Sequence, residues 1–534
     1  MRELTDPARP TTRWWALAVL CLSLIVVTID TTILNVALPS LVRSLHASSS
    51  GLEWIVDAYT VVFAGLLLSA GSLGDRFGRR GALSAGLALF AVGSGASALA
   101  TTTAQLIALR AVTGAGAALV FPATLSILTH VFPDPVERQR AIAVWAGTAG
   151  IGIGLGPVAG GLLLRHFYWG SVFWVNVPVC VVALVAGMLL VPTSRDGKGS
   201  PLDPAGALLS IVGLSTLVYA IIEGPSRGWT SPVVLTTFAG ATVVLATFAG
   251  VELRQRSPML DLRLFRNPRF TAASLAVTAL YFCLFGVIFF QTQHLQFVLG
   301  YDPLGAGLRS VPFAAVLLVV ANATPRIVRW AGTRAVITAG LGIVALSMAA
   351  RAGFTVHSGY PAVLVTQCLF ALGMGLTIAP ATASIMGAVP ADRAGVGSAI
   401  NDTTRQVGGA LGVAVMGSVG ASLYRRSATH ALAGAHLPAA VSTKALDSVG
   451  SALSAAHSLP AGVAANVSDA ARRAFIHGLD VASLVGVGVA VAGGLLAWRF
   501  LPAGMTTGAM PTAPDPVAGE LTPELALLGT EVDV

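Results

Sequence analysis

Four sets of polar side chains stand where the surrounding residues are almost wholly apolar. Asp30 sits in "IVVTIDTTILNVALP" (25–39), Asp57 in "WIVDAY" (54–59) and Arg110 in "LIALRAVTGAGAA" (106–118), while Asn401, Asp402 and Arg405 share "SAINDTTRQVGGALGVAV" (398–415). A carboxylate at the centre of a membrane-crossing helix costs ~2.5–3.5 kcal/mol on insertion scales. Such a group is expected to carry a proton, pair with a cation or hold a substrate. Arg110 stays protonated when buried and needs carboxylate or carbonyl partners, so it is the obvious counter-ion for Asp30. Two readings of Asp30 are open: a permanent structural pair with Arg110, or an acid that exchanges its proton as its surroundings change. Asp57, about one turn into its helix, is either a solvated helix-end acid or one facing a substrate. Asn401 and Arg405 lie one turn apart with Asp402 in reach of Arg405, which allows a self-neutralised structural pair or a coupling role.

The elements that position these groups follow from composition. Of 534 residues, 55% are hydrophobic and 10% charged, and mean hydropathy is +0.78. An ordinary soluble chain has roughly 25% charged residues, so lipid is the solvent for most of this one. The net charge of +8 comes from basic residues scattered in short loops and is no nucleic-acid footprint. Cys21, Cys180, Cys283 and Cys368 lie singly in separate apolar stretches, which supports neither a zinc site nor a disulfide framework.

Apolar stretches long enough to span a bilayer predict fourteen transmembrane helices, at 14–37, 52–72, 81–100, 104–129, 141–164, 171–191, 204–223, 233–251, 270–293, 310–324, 335–352, 361–388, 398–420 and 478–500. Arg110 and Arg405 are the basic residues expected within them. Arginines concentrate in alternate loops (Arg76, Arg79, Arg80, Arg138, Arg140, Arg195, Arg254, Arg256, Arg263, Arg266, Arg269, Arg326, Arg329, Arg334), whereas the opposite loops carry about one each, namely Arg43, Arg165, Arg227, Arg309 and Arg351. This positive-inside pattern puts both termini in the cytoplasm of a bacterial cell. "PATLSIL" (122–128) recurs as "PATASIM" (380–386), and "DRFGRRGALSAGL" (75–87) has a weaker echo in "RWAGTRAVITAGL" (329–341). Two halves on one plan, with a site between them, are expected of a secondary transporter. The organisation expected is a cytoplasmic N-terminus (1–13), a six-helix bundle (14–191), a linker with two extra spans (192–269), a second six-helix bundle (270–500) and a disordered tail (501–534). The second bundle includes an Ala/Ser-rich outward loop (421–477).

"GSLGDRFGRR" (71–80) joins the second and third spans. Gly71 and Gly78 permit a tight turn, and Asp75 among Arg76, Arg79 and Arg80 can form a charge cluster that locks one arrangement and releases in another. In "GIGLGPVAGG" (152–161), Gly152, Gly156 and Gly160 recur every four residues on one face, with Pro157 to bend the helix and Gly161 beside it. This stretch fits a gate or seal between the halves, or plain close packing. With no preceding strand, it is not a dinucleotide site. The aromatic run "HFYWGSVFWVNVP" (166–178) fits an interfacial belt.

Together these motifs resemble the major facilitator superfamily. The 71–80 loop fills its G-x-L-x-D-R-x-G-R-R signature, 106–118 fits its fourth-span signature, and 152–161 fits the fifth-span pattern of its antiporters. The stretches 30–39, 54–59 and 398–415 are similar to its fourteen-helix drug:proton antiporter branch. The resemblance covers nearly all of the chain to about residue 500. It implies an all-α fold of two six-helix bundles plus two central spans, and proton coupling through Asp30 and Arg110. It further implies export of hydrophobic or amphipathic compounds by alternating access, driven by the proton gradient without a cofactor, by a monomer in the plasma membrane. A lipid or endogenous secondary metabolite is the alternative cargo, and a non-transporting sensor or scaffold the alternative class. The chain has no H-E-x-x-H, G-x-S-x-G or Walker sequence, which argues against an enzyme or an ATP-driven pump.

Overall fold

A computed structural model describes residues 10–193, 203–255, 258, 260–389, 394–433 and 437–502. Residues 1–9 of the expected N-terminal segment, 503–534 of the expected tail, Arg195 and Arg256 lie outside the described residues. Secondary structure within them is entirely helical. The first half comprises α1 (Pro10–Leu45), α2 (Ser49–Phe77), α3 (Arg79–Ala98), α4 (Thr103–Val131), α5 (Pro135–His166), the single turn α6 (Ser171–Trp174) and α7 (Asn176–Leu190). The pair α8 (Pro204–Arg227) and α9 (Pro232–Arg254) follows. The second half comprises α10 (Pro268–Gln293), which runs into a π-helical turn at His294–Val298, then α11 (Pro303–Leu308), α12 (Val311–Ala331), α13 (Thr333–Arg351), α14 (Tyr360–Met386), α15 (Ala394–Leu432), α16 (Ala439–Asp447), α17 (Val449–Ala456) and α18 (Ala461–Phe500).

Among the described residues, thirteen helices are long and apolar enough to cross a membrane. The remaining expected span, 141–164, lies within α5. Several starts share one local code. Asp134, Asp203, Ser231, Asn267 and Asp302 each precede a proline and accept a backbone N–H two or three residues on, so the orphan donors of α5, α8, α9, α10 and α11 are capped.

The repeated sequences occupy matching places. Gly78 and Gly332, at φ 112° and 81°, form the α2–α3 and α12–α13 corners, a backbone region open to glycine. Gly86 and Gly340 press against the carbonyls of Gly116 and Gly373, bringing α3 onto α4 and α13 onto α14 in the same way.

One core cluster combines the α1 and α2 residues from Ile33 to Val56 with α10, α13, α15 and α18. A second contains only first-half residues, from Ala16 on α1 to Val191. The halves thus share a core at the end bearing α16 and α17, here the capped end, and keep separate cores at the other. Polar contacts across the capped end include Gln296 donating to the Val36 carbonyl at 3.0 Å and Ser49 donating to the Asp447 carbonyl at 2.8 Å. Along one flank α5 meets α11 and α12; along the other α2 meets α15, and α8 packs onto that α2–α15 seam through Val218, Ile221 and Ile222.

Two expectations are corrected. The 421–477 segment is not an irregular loop: α15 continues to Leu432, α18 begins at Ala461, and α16 and α17 fold between them with Ala445, Val449 and Ala452 buried. Its alanines depress hydropathy relative to leucine yet favour helix most strongly. Arg351 is not a loop residue: it ends α13 and is 1% exposed, joining Arg110 and Arg405 inside the bundle.

Candidate functional site

Five helices of the first half converge on Asp30. Arg110 on α4 donates from a terminal guanidinium nitrogen to Asp30 Oδ2 at 2.6 Å, and Asn176, the first residue of α7, donates to Oδ1 at 2.8 Å. The same amide donates to Ser94 Oγ on α3 at 2.9 Å. Arg110 Nε donates to the Ile55 carbonyl on α2 at 3.3 Å, and its guanidinium lies 4.4 Å from the Tyr59 ring centroid and 5.9 Å from that of Phe173. Asp30 and Ser94 have no exposed surface, and Arg110, Tyr59 and Asn176 have almost none. Both carboxylate oxygens accept charge-assisted or amide hydrogen bonds, an arrangement suited to the ionised acid. Asp30 and Arg110 were expected as partners. Asn176, Ser94 and Tyr59 were not, and Phe173 and Asn176 depart from the interfacial-belt reading by turning into the bundle. Tyr168 and Trp174 do stand exposed.

The glycine stripe on α5 explains how this acid is held. A side-chain carbon at Gly152 would collide with Thr28 Oγ1, one at Gly156 with Thr32 Oγ1, and one at Gly160 would lie 2.7 Å from Ile33 Cγ1. The stripe therefore faces α1 around Asp30 and packs the first half internally. Contact with the other half belongs to the adjacent face: Gly161 abuts Leu304, and Gly307 abuts the Pro157 carbonyl.

In the 71–80 loop, Gly78 caps α2 by donating to the Gly74 carbonyl at 3.0 Å and also starts α3. Gly71 comes within ordinary contact of Pro122 on α4, and Arg80 donates to the Val191 carbonyl at 3.4 Å. Arg76 is exposed and Arg79 half-buried. Asp75 belongs to the last turn of α2, and its side chain lies outside the described residues, as does the charge cluster proposed for it.

Asp57 is fully buried, and neither carboxylate oxygen has a hydrogen-bond partner among the described residues. The solvated helix-end reading is thereby overturned, because hydropathy places the residue near a helix start but cannot show that α15 and α8 cover it. Glu53, one turn earlier and 1% exposed, was missed for the same reason. On α15, Arg405 donates to Asp402 Oδ1 at 3.3 Å and to Thr382 Oγ1 at 3.1 Å. Thr382 Oγ1 donates to Asn401 Oδ1 at 3.4 Å, and the Arg405 guanidinium lies 5.5 Å from the Tyr281 ring. These residues form their own cluster in the second half, separate from Asp30. Arg351 makes another there by donating to Gln291 Oε1 at 3.3 Å, with Gln291 donating to Gln367.

Comparison with known proteins agrees with this architecture. The family profile described as Major Facilitator Superfamily matches residues 20–413. The chain is 36% identical to the multidrug efflux pump LfrA of Mycolicibacterium smegmatis over 480 residues, 89% of this chain and 94% of that one. It is 33% identical to the methyl viologen resistance protein SmvA of Salmonella typhimurium, covering 88% and 94% of the two chains. It is 31% identical to the tetracenomycin C resistance and export protein of Streptomyces glaucescens, covering 90% of each. Among solved structures, a bacterial homologue of the human lysosomal transporter Spinster in an inward-facing conformation superposes with a TM-score of 0.63 at 17% identity, covering 93% of this chain and 99% of that one. A D-xylose–proton symporter superposes at 0.59 with 14% identity, covering 92% and 98%. At such identities the structures speak for the fold.

Proposed function

The chain belongs to the major facilitator superfamily and to its drug-efflux transporters, and from that premise we propose that it exports hydrophobic or amphipathic compounds in exchange for protons. The cycle is alternating access: the halves rock about a central site, closing one end as the other opens. We assign the capped end to the outside of a bacterial plasma membrane, with both termini cytoplasmic. The arginine-rich loops support this assignment, since they lie at the opposite end. The transporter works as a monomer without a bound cofactor.

The observation that carries the proton coupling is the Asp30 site. With the capped end closed, this buried carboxylate is paired with Arg110 and accepts a hydrogen bond from Asn176. Protonation removes its charge and loosens the Arg110 contact, freeing α1 to shift against α4. Because α5 is pressed onto α1 along Gly152, Gly156 and Gly160, and touches the second half through Pro157 and Gly161, a shift of α1 reaches the contact between halves. Asp57, buried two residues after Ile55 and without a hydrogen-bond partner among the described residues, stands as a second proton carrier or as the group that meets a cationic substrate. We assign Asn401, Asp402 and Arg405 to the polar lining of the second half. A potential of 100 mV supplies ~2.3 kcal/mol for each charge moved inward, which can drive uphill export.

The test is efflux from cells or vesicles in which ATP is held constant while a protonophore collapses the gradient. Uphill export should stop. Export that persists under those conditions would rule out proton coupling.

A further inference from the structure

Glu53 stands on α2 at the closed, capped end, four residues before Asp57, and its carboxylate is buried against the other half. Ser418 on α15 donates to Glu53 Oε2 at 3.2 Å. The neighbouring Gly417 leaves the space the carboxylate occupies, for a side-chain carbon there would lie 2.7 Å from Glu53 Cδ. The titratable groups that face it are Asp57 on its own helix, Glu223 on α8 and Tyr424 on α15, with Asp447 beside Ser49 at the rim. All are acids or a phenol, and no cation pairs with Glu53 among the described residues. Next to it is a cavity of about 30 Å³, walled mostly by apolar side chains such as Phe289 and Phe475 with Ser49, Gln293, Tyr424 and Ser448 as its polar members, roughly the room that one or two waters need.

An ionised carboxylate in such a place would be buried without a counter-charge, which is strongly unfavourable. The neutral acid fits: one oxygen accepts from Ser418, and an uncharged carboxyl suits the largely apolar cavity better than a carboxylate does. When the α2–α15 seam parts, Glu53 meets outside water and can ionise at little cost. We propose that Glu53 is a proton-operated latch on the capped end, neutral when it docks on Gly417 and Ser418 to close the seam, and ionised when the seam is open. A proton passes from outside water to a Glu53 oxygen before closure and returns to that water after reopening. The latch adds nothing to the protons transported. It makes closure of the outer end depend on the acidity outside, and it rests on the efflux reading only for its place in the cycle.

The closure equilibrium can be measured without transport, so failure of the latch and failure of proton-driven export are distinguishable. Spin labels at Ser44→Cys on α1 and Thr443→Cys on α16, in protein whose four native cysteines are replaced, report the distance across the capped end in lipid nanodiscs. With Glu53 present, the short-distance population should grow as the pH outside is lowered, because only the protonated acid docks. Glu53→Gln, nearly isosteric with the neutral acid, should hold the short distance throughout and lose that response. Gly417→Ala should shift the population to the long distance at every pH by crowding the docked carboxyl, and Glu53→Ser in addition should restore closure. A wild-type pH profile in Glu53→Gln, or an unchanged distance distribution in Gly417→Ala, would overturn the latch.

Discussion

The Asp30 carboxylate is held by two donors of different kinds, and they can be removed separately. Asp30→Asn keeps one accepting oxygen for Arg110 and turns an NH2 toward Asn176, whose amide can flip to accept it, while fixing the neutral form, so the variant should fold, equilibrate substrate passively and lose uphill efflux in vesicles with an imposed gradient. Poor folding that Arg110→Gln repairs would instead make the pair structural, because an unmatched buried charge costs ~3–5 kcal/mol. Asn176→Ala leaves the ion pair but withdraws the amide that steadies the ionised acid. Losing that hydrogen bond should lower the rate of uphill efflux in vesicles while leaving insertion and folding intact. An unchanged rate would leave Asn176 to packing alone. At this scale, the charged partners were legible in the sequence, because Asp30 and Arg110 stand out against apolar neighbours. Asn176, Ser94 and Tyr59 were not, since uncharged polar residues barely disturb hydropathy. Arg351 was missed because a helix-end arginine reads the same whether it reaches outward or, as here, turns inward to Gln291.

At the scale of elements, the length of apolar stretches located the spans, thirteen of them membrane-length apolar helices among the described residues and the other inside α5, while partner choice stayed hidden. The Gly152–Gly156–Gly160 stripe advertised a close neighbour without naming it, and its neighbour is α1. Gly156→Val should therefore push α5 off Thr32 and abolish export with the protein still inserted. Gly147→Ala, on the same helix with nothing near the added methyl, should export normally and serves as the control. The α16–α17 segment invites the opposite conclusion from the one its composition suggests. Tyr424 donates to the Ala445 carbonyl at 2.8 Å, and Val449 and Ala452 are buried beneath the cap. Replacing 437–459 with a short linker should lower the thermal stability of the purified protein, as each uncovered Val or Leu gives up ~1.5–3 kcal/mol. An unchanged melting temperature would return the segment to the status of a tether.

For the whole molecule, the duplicated plan was visible in short sequence echoes, and the matching glycine corners at 78 and 332 give those echoes a geometric basis. The extra pair α8–α9 breaks the symmetry. It covers the α2–α15 flank, and α9 turns Val233, Leu235 and Val243 outward, whereas the opposite flank is made by α5 and α12 alone, with Leu155 and Leu318 exposed. The protein is consequently lopsided in the plane of the bilayer. A compound dissolved among the acyl chains finds a double wall on one side and a single one on the other, so loading from lipid should be one-handed. A lipophilic photoreactive substrate should mark α5 and α12 in preference to α2 and α15, and equal marking of both flanks would refute that handedness. Where cargo is drawn from the membrane, the direction from which it arrives is then set by a helix pair that never touches it.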